Sequence, residues 1–159
     1  MQNDKNIEYS GLEELLNSEA MKNYNQFIVG TAVRHSGALN QVVDFGAGIG
    51  TLSLIFREKF KVSPLCVEID EANKKYLKKR GFDFFDDIKL IPSNSDLIFS
   101  SNVLEHIEDD IDTLQTMKNN LKKNGRIYLY LPAKMILWTQ LDEDVGHYLS
   151  LIHISEPTR

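Results

Sequence analysis

A single cysteine, Cys66, stands among 159 residues, which excludes a disulfide framework and a cysteine-ligated metal site. It lies in the apolar stretch Leu65-Cys66-Val67, where a small buried hydrophobe is the plain reading. Positive charge is scarce as well. Lys and Arg number 18 against 23 Asp and Glu, a formal net charge of −5. The densest basic cluster, Lys78-Lys79-Arg80, shares a presumptive helix with Lys74-Lys75 and reads as a solvated face. A broad nucleic-acid surface is therefore excluded, and at most a small RNA-modifying site would be compatible. No apolar run approaches the roughly 20 residues that cross a bilayer. The polar opening Met1-Gln2-Asn3-Asp4-Lys5-Asn6 lacks a signal-peptide pattern. These absences predict a cytoplasmic chain, and 42% hydrophobic residues suffice for the core of one globular domain. Nothing in the sequence fixes an oligomeric state.

What is present is organised around Val42-Val43-Asp44-Phe45-Gly46-Ala47-Gly48-Ile49-Gly50-Thr51, answered about twenty residues later by Val67-Glu68-Ile69-Asp70. The first stretch reads as a buried strand, a glycine turn and a helix start. The second reads as another buried strand ending on an acid. Strand, glycine loop, helix, strand and acid is how a doubly wound sheet builds a nucleoside pocket at the carboxyl ends of its strands. Dinucleotide sites use G-x-G-x-x-G around a pyrophosphate. Here the pattern is G-x-G-x-G, with Thr51 in place of the third glycine. Asp44 at the strand end would repel a pyrophosphate but suits an ammonium group. Both features favour an amino-acid-bearing nucleoside over a nicotinamide dinucleotide, and hence weigh against a nicotinamide-dependent oxidoreductase.

The remaining segments repeat strand and helix. Ser10-Gly11-Leu12-Glu13 matches a capping box. Met21, Tyr24, Phe27, Ile28 and Ala32 recur on one helical face, with Gly37 as a stop. Residues 1–37 thus form a helical cap before a core spanning 38–148. A helix over Glu71 to Arg80 ends at Gly81, and a short strand then meets the acidic turn at Asp86 and Asp87. Asp96 to Ser101 is a fourth strand. Glu108-Asp109-Asp110 caps a helix carrying Ile111, Leu114, Met117 and Leu121, and Asn124-Gly125 ends it. Arg126 to Leu131 is a fifth strand, stopped by Pro132. The expected fold is α/β and Rossmann-like, with a doubly wound parallel sheet in strand order 3-2-1-4-5 and N-terminal helices.

Asp44-Phe45-Gly46-Ala47-Gly48-Ile49-Gly50 resembles the first motif of class I S-adenosylmethionine-dependent methyltransferases, and Glu68 resembles their ribose-binding acid. Ser101-Asn102-Val103-Leu104-Glu105-His106-Ile107 is similar to the fourth-strand motif of the small-molecule, ubiquinone-biosynthesis-like group (the methyltransferase-11 and -23 types). Lys122-Lys123-Asn124-Gly125-Arg126 resembles the lysine-proline-glycine-glycine segment before strand five. It departs at Asn124, which still tolerates a left-handed backbone.

This resemblance implies S-adenosylmethionine as cofactor, without a metal. It implies that backbone groups from Phe45, Gly46, Ala47, Gly48 and Gly50 line the methionine portion, with Asp44 facing the ammonium directly or through water. Glu68 would take the ribose hydroxyls, Ile69 the adenine face, and Asp86 or Asp87 the adenine amine. Ser101, Asn102 and Leu104 would supply the facing wall, and Tyr24 would sit nearest the cofactor from the leading helix.

His106 is the candidate general base, although a structural role in its loop has the larger share. In-line transfer from a sulfonium rests mainly on proximity and needs a base only for a protonated nucleophile. Leu141-Asp142-Glu143-Asp144-Val145-Gly146-His147-Tyr148, following Pro132-Ala133, resembles the acceptor-side segment of methyltransferases acting on polysaccharide or lipid-linked glycosyl groups, with His147 as a second candidate. The acceptor implied is a small-molecule, lipid-linked or glycan one. Leu149 to Arg159 carries no periodicity linked to what precedes it and resembles translated adapter sequence. The expectation is a non-native or disordered tail over 149–159, with the closing strands 6 and 7 missing. The function implied is methyl transfer from S-adenosylmethionine to that acceptor, with a cofactor-holding methyltransferase fragment that lacks activity as the alternative.

Overall fold

Strands with apolar side chains on both faces require helices on both sides, and the chain supplies them. In the computed structural model, which describes residues 11–131, five strands form one parallel sheet. They are β1 (Val42–Phe45), β2 (Leu65–Val67), β3 (Phe84–Phe85), β4 (Ser95–Ser101) and β5 (Leu121–Tyr130), ordered β3-β2-β1-β4-β5. This is the order expected from the sequence. The helices are α1 (Gly11–Glu19), α2 (Lys22–Arg34), α3 (Thr51–Phe60), α4 (Glu71–Arg80) and α5 (Asp110–Asn120).

Alternation along β1 and β4 divides the core. Val42, Leu97 and Phe99 pack against Ile28, Val29 and Ala32 of α2 and Phe56 of α3. Val43 and Ile98 point the other way, to Met117 of α5 and to Ile88 and Ile91. Cys66, Leu77 and Phe82 seat α4.

Several boundaries follow their local chemistry. Asp70 caps α4 by accepting from the Asn73 N–H at 2.9 Å, and Gly81 ends it at φ 71°. Asp109 caps α5 through the Asp112 N–H at 3.1 Å. Two expectations need correction. The buried face of α2 is Asn25, Ile28, Val29 and Ala32, so the helix is rotated from the expected stripe and leaves Met21 and Phe27 50% and 64% exposed. Further along, α5 stops at Asn120 rather than Asn124. The buried Asn120 amide donates to the Ile88 and Ile91 carbonyls at 3.0 and 3.3 Å, and Leu121 already pairs with Ser95.

Between the Leu121–Ser95 and Arg126–Leu97 pairs the register shifts. Asn124 takes φ 67° there, the left-handed conformation expected of it. Gly125 sits where a Cβ would lie 2.6 Å from the Ser95 carbonyl oxygen. Gly125→Ala should therefore cost about 2 kcal/mol of stability through overpacking against backbone, read as a lowered urea midpoint. An unchanged midpoint would show that the bulge can open.

Candidate functional site at the carboxyl ends of β1, β2 and β4

From β1 the chain turns through Gly46, Ala47, Gly48, Ile49 and Gly50 into α3. Gly46, Gly48 and Gly50 have φ of 75°, 55° and 82°, a region costly for side-chain-bearing residues. The Gly46 and Ala47 N–H groups donate to the Val67 carbonyl at 2.9 and 3.0 Å, which sews the loop to the end of β2. A Cβ at Gly50 would lie 2.8 Å from Leu77, so that glycine serves helix packing. A Cβ at Gly46 would collide with Val103, and one at Gly48 would lie 3.2 Å from Leu15. The loop after β4 and helix α1 therefore flank the glycine turn.

Glu68, buried at the end of β2, closes onto this loop. Its Oε2 accepts from the Gly48 N–H at 2.7 Å, and its Oε1 accepts from the Ile69 and Asp70 N–H groups at 2.8 Å each. Ile69 beside it is 77% exposed, an apolar side chain facing open space at the sheet's carboxyl end. Asp44 is buried, and its Oδ2 accepts from the Ser53 hydroxyl of α3 at 2.6 Å. Burial, and secondarily the Glu68 charge, push the Asp44 carboxyl up to about 6, against the Ser53 bond, which favours the charged form.

The acids after β3 are turned to other work. Asp86 forms an ion pair with the buried Lys74 of α4, and Asp87 caps the turn Ile88–Leu90 through the Lys89 N–H at 2.8 Å. At the end of β4, Ser101 pairs in register with Tyr130, and the Asn102 N–H donates to the Tyr130 carbonyl at 2.8 Å. Asn102 has φ 52° and is exposed. Leu104 and Glu105 are buried in the following turn, whereas His106 is exposed. Tyr24 of α2 reaches this edge, donating to the Tyr130 hydroxyl at 3.1 Å with the rings edge to face. Partial burial and Tyr130 hold its phenol up at about 12, so it stays protonated at neutral pH.

Asp44, the glycine loop, Glu68 and Ile69 thus converge at the ends of β1 and β2, with Ser101 and Asn102 across the switch between β1 and β4. Sequence reasoning missed Ser53, Leu15, Val103 and Lys74. Of these only Ser53 carried a signal, as a hydroxyl at i−3 from the buried Phe56 on the inward face of α3. His147, Tyr148 and the segment 149–159 lie outside the described residues.

The donor set fits a cationic nucleoside rather than a pyrophosphate. Two buried carboxylates border the glycine turn, and the nearest buried cation, Lys74, is spent on Glu71 and Asp86. Fold and site together define a Rossmann-like α/β protein with a glycine turn and two buried acids at the carboxyl ends of β1 and β2. The family model of the methyltransferase domain matches residues 14–158, and this chain belongs to that family. No curated protein matches it.

Among solved structures, Streptomyces venezuelae DesVI is 12% identical with a TM-score of 0.67, covering 84% of this chain and 61% of its own. A SAM-dependent methyltransferase from Archaeoglobus fulgidus is 18% identical with a TM-score of 0.67, covering 87% and 67%. The plantazolicin methyltransferase BpumL, solved in complex with SAH, is 18% identical with a TM-score of 0.53, covering 76% and 47%. At these identities the likeness is one of fold. The chain spans about 61% of DesVI and about half of BpumL.

Proposed function

We propose that this chain binds S-adenosylmethionine at the carboxyl ends of β1, β2 and β4, and that the protein transfers its methyl group to a small-molecule, lipid-linked or glycan acceptor. The observation that carries the reading is the convergence of two buried acids, Asp44 and Glu68, on one glycine turn inside a methyltransferase-family sheet. Bound there, the cofactor supplies an electrophilic methyl on a positively charged sulfur.

The chain's own residues do the rest. Loop backbone from Gly46 to Gly50 lines the aminoacyl tail, and the free oxygen of Asp44 faces the ammonium, directly or through water. Glu68 takes the ribose hydroxyls and Ile69 the adenine face. Ser101 and Asn102 border the methionine side, and Tyr24 closes the site from α2. Asp86 and Asp87 are already engaged by Lys74 and by the turn Ile88–Leu90, so the adenine amine is better served by backbone near the end of β3. His106, exposed after β4, is positioned as a general base only for an acceptor that must lose a proton.

Titration calorimetry with S-adenosylhomocysteine and, separately, NADH tests the reading. Heat with the first and none with the second is expected; the opposite pattern would overturn it in favour of an oxidoreductase. Binding without methylation of any acceptor would reduce the chain to a cofactor-holding fragment.

Asp44 gives this reading a pH signature. Its carboxyl lies at about 6 against an ordinary 3.8, so the folded chain holds the proton more tightly than the unfolded one. The stability contributed by this group is present below about pH 4 and is lost as pH rises to about 6. An ammonium bound opposite favours the carboxylate instead. Affinity for S-adenosylhomocysteine should therefore climb about tenfold between about pH 5 and pH 7. A flat profile would remove Asp44 from ammonium recognition.

A further inference from the structure

We infer that Ser53 is a positioning residue that directs a buried hydrogen-bond chain, Cys66 to Ser53 to Asp44, and thereby holds Asp44 ready for the ammonium of an aminoacyl nucleoside. The inference rests on the binding role proposed above for Asp44 and assigns its partners. Neither Ser53 nor Cys66 faces the ligand in that reading.

The geometry fixes the direction of the chain. Ser53 and Cys66 are fully buried and Asp44 almost so. The Ser53 hydroxyl lies 2.6 Å from Asp44 Oδ2 and 3.4 Å from the Cys66 sulfur. A hydroxyl carries one proton, and the short bond to the carboxylate takes it. The Cys66 thiol, which burial and the Asp44 charge keep protonated, then donates to Ser53 at 3.4 Å, the shorter of its two contacts, the Pro64 carbonyl lying 4.0 Å away. Two donors in series thus point at one carboxylate oxygen.

The other oxygen, Oδ1, accepts no hydrogen bond among the described residues, which leaves it as the acceptor for a cation. Chains of this kind polarise one another in a low-dielectric interior, and here the polarisation favours the charged carboxylate. The titratable groups that face Asp44 are Glu68 at the end of β2 and Cys66 within it, with Asp83 acting on the thiol. Glu68 opposes the Asp44 charge, and Ser53 is the group that supports it.

A buried serine that merely packs would affect stability alone. A serine that directs Asp44 affects how binding depends on pH, and only for ligands that carry the ammonium. The test uses the full chain and two probes. S-adenosylhomocysteine carries the aminoacyl tail, and 5′-methylthioadenosine lacks it. In the wild type, affinity for the first should rise with a midpoint near 6, while affinity for the second stays flat.

Ser53→Ala should move the first midpoint up by about one pH unit, since a hydrogen bond to a charged group is lost. That weakens S-adenosylhomocysteine about fivefold at pH 6 and leaves 5′-methylthioadenosine unchanged. An unmoved midpoint, or an equal loss for both probes, overturns the inference. Carboxyl NMR titration of Asp44 in the ligand-free chain reads the same shift independently. If S-adenosylhomocysteine fails to bind at any pH, the proposed function falls, and the NMR midpoint in Ser53→Ala still decides whether Ser53 controls Asp44.

Discussion

Glu68→Gln should weaken S-adenosylhomocysteine binding about 100-fold. Two hydrogen bonds from ribose hydroxyls to a charged acceptor contribute about 3 kcal/mol together, which is about two decades in Kd. The amide cannot substitute, because its NH2 end would face either the Gly48 N–H or the Ile69 and Asp70 N–H pair, donor against donor. A carboxylate offers about four lone-pair sites, and in this structure three backbone N–H groups already use it. Two ribose hydroxyls therefore need one of those bonds to yield. The Gly48 bond is the one to yield, since it joins Glu68 to a loop, whereas the Ile69 and Asp70 bonds lie within the turn that positions the carboxylate. Hydrogen exchange at the Gly48 amide should accordingly change on ligand binding in the wild type, while exchange at Asp70 stays constant. Equal titration heats for wild type and Glu68→Gln would remove Glu68 from the site.

The legible parts of this molecule were those in which one local rule decides the outcome. Asp70 and Gly81 bound α4 because a cap and a left-handed stop act within one turn. The apolar runs in β1 and β4 dictate burial on both faces, and from that follow helices on both sides of a parallel sheet. The glycine turn and the acid at the end of β2 were legible for the same reason, as a short pattern at fixed spacing. The misread features depend on distant partners. The end of α5 is decided by Asn120 reaching back to Ile88 and Ile91, about thirty positions upstream, which no helical period encodes. Asp86 has adenine-facing chemistry in sequence but is paired with Lys74, one helix away. Ser53 differs: its inward position three residues before Phe56 is legible, but the acid it serves, Asp44, stands on another element.

Asp96→Ala should destabilise the fold by about 3–5 kcal/mol, the range for stripping the partner from buried polar groups. Asp96 is 4% exposed at the start of β4. Its Oδ2 accepts from the Asn40 and Gln41 N–H groups at 2.8 Å each, and Oδ1 pairs with Lys122. Its own N–H donates to the Gln41 carbonyl at 2.9 Å. One side chain thus joins the entry to β1, the start of β4 and the bulge of β5. The backbone bonds should matter more than the ion pair. Lys122 is about one-third exposed at 37%, so solvent screens its share to about 1 kcal/mol or less. Lys122→Met should accordingly cost far less than Asp96→Ala. Asp96→Asn should fall between them, because one oxygen still serves Asn40 and Gln41 while its NH2 opposes Lys122. Urea midpoints of the three variants give the order, and a Lys122→Met as damaging as Asp96→Ala would mean that charge, not the two N–H groups, holds the strands. The clamp lies at the amino ends of the same two strands whose carboxyl ends form the candidate site. Its loss should therefore lower the folded fraction and leave the affinity of the folded chain for S-adenosylhomocysteine unchanged.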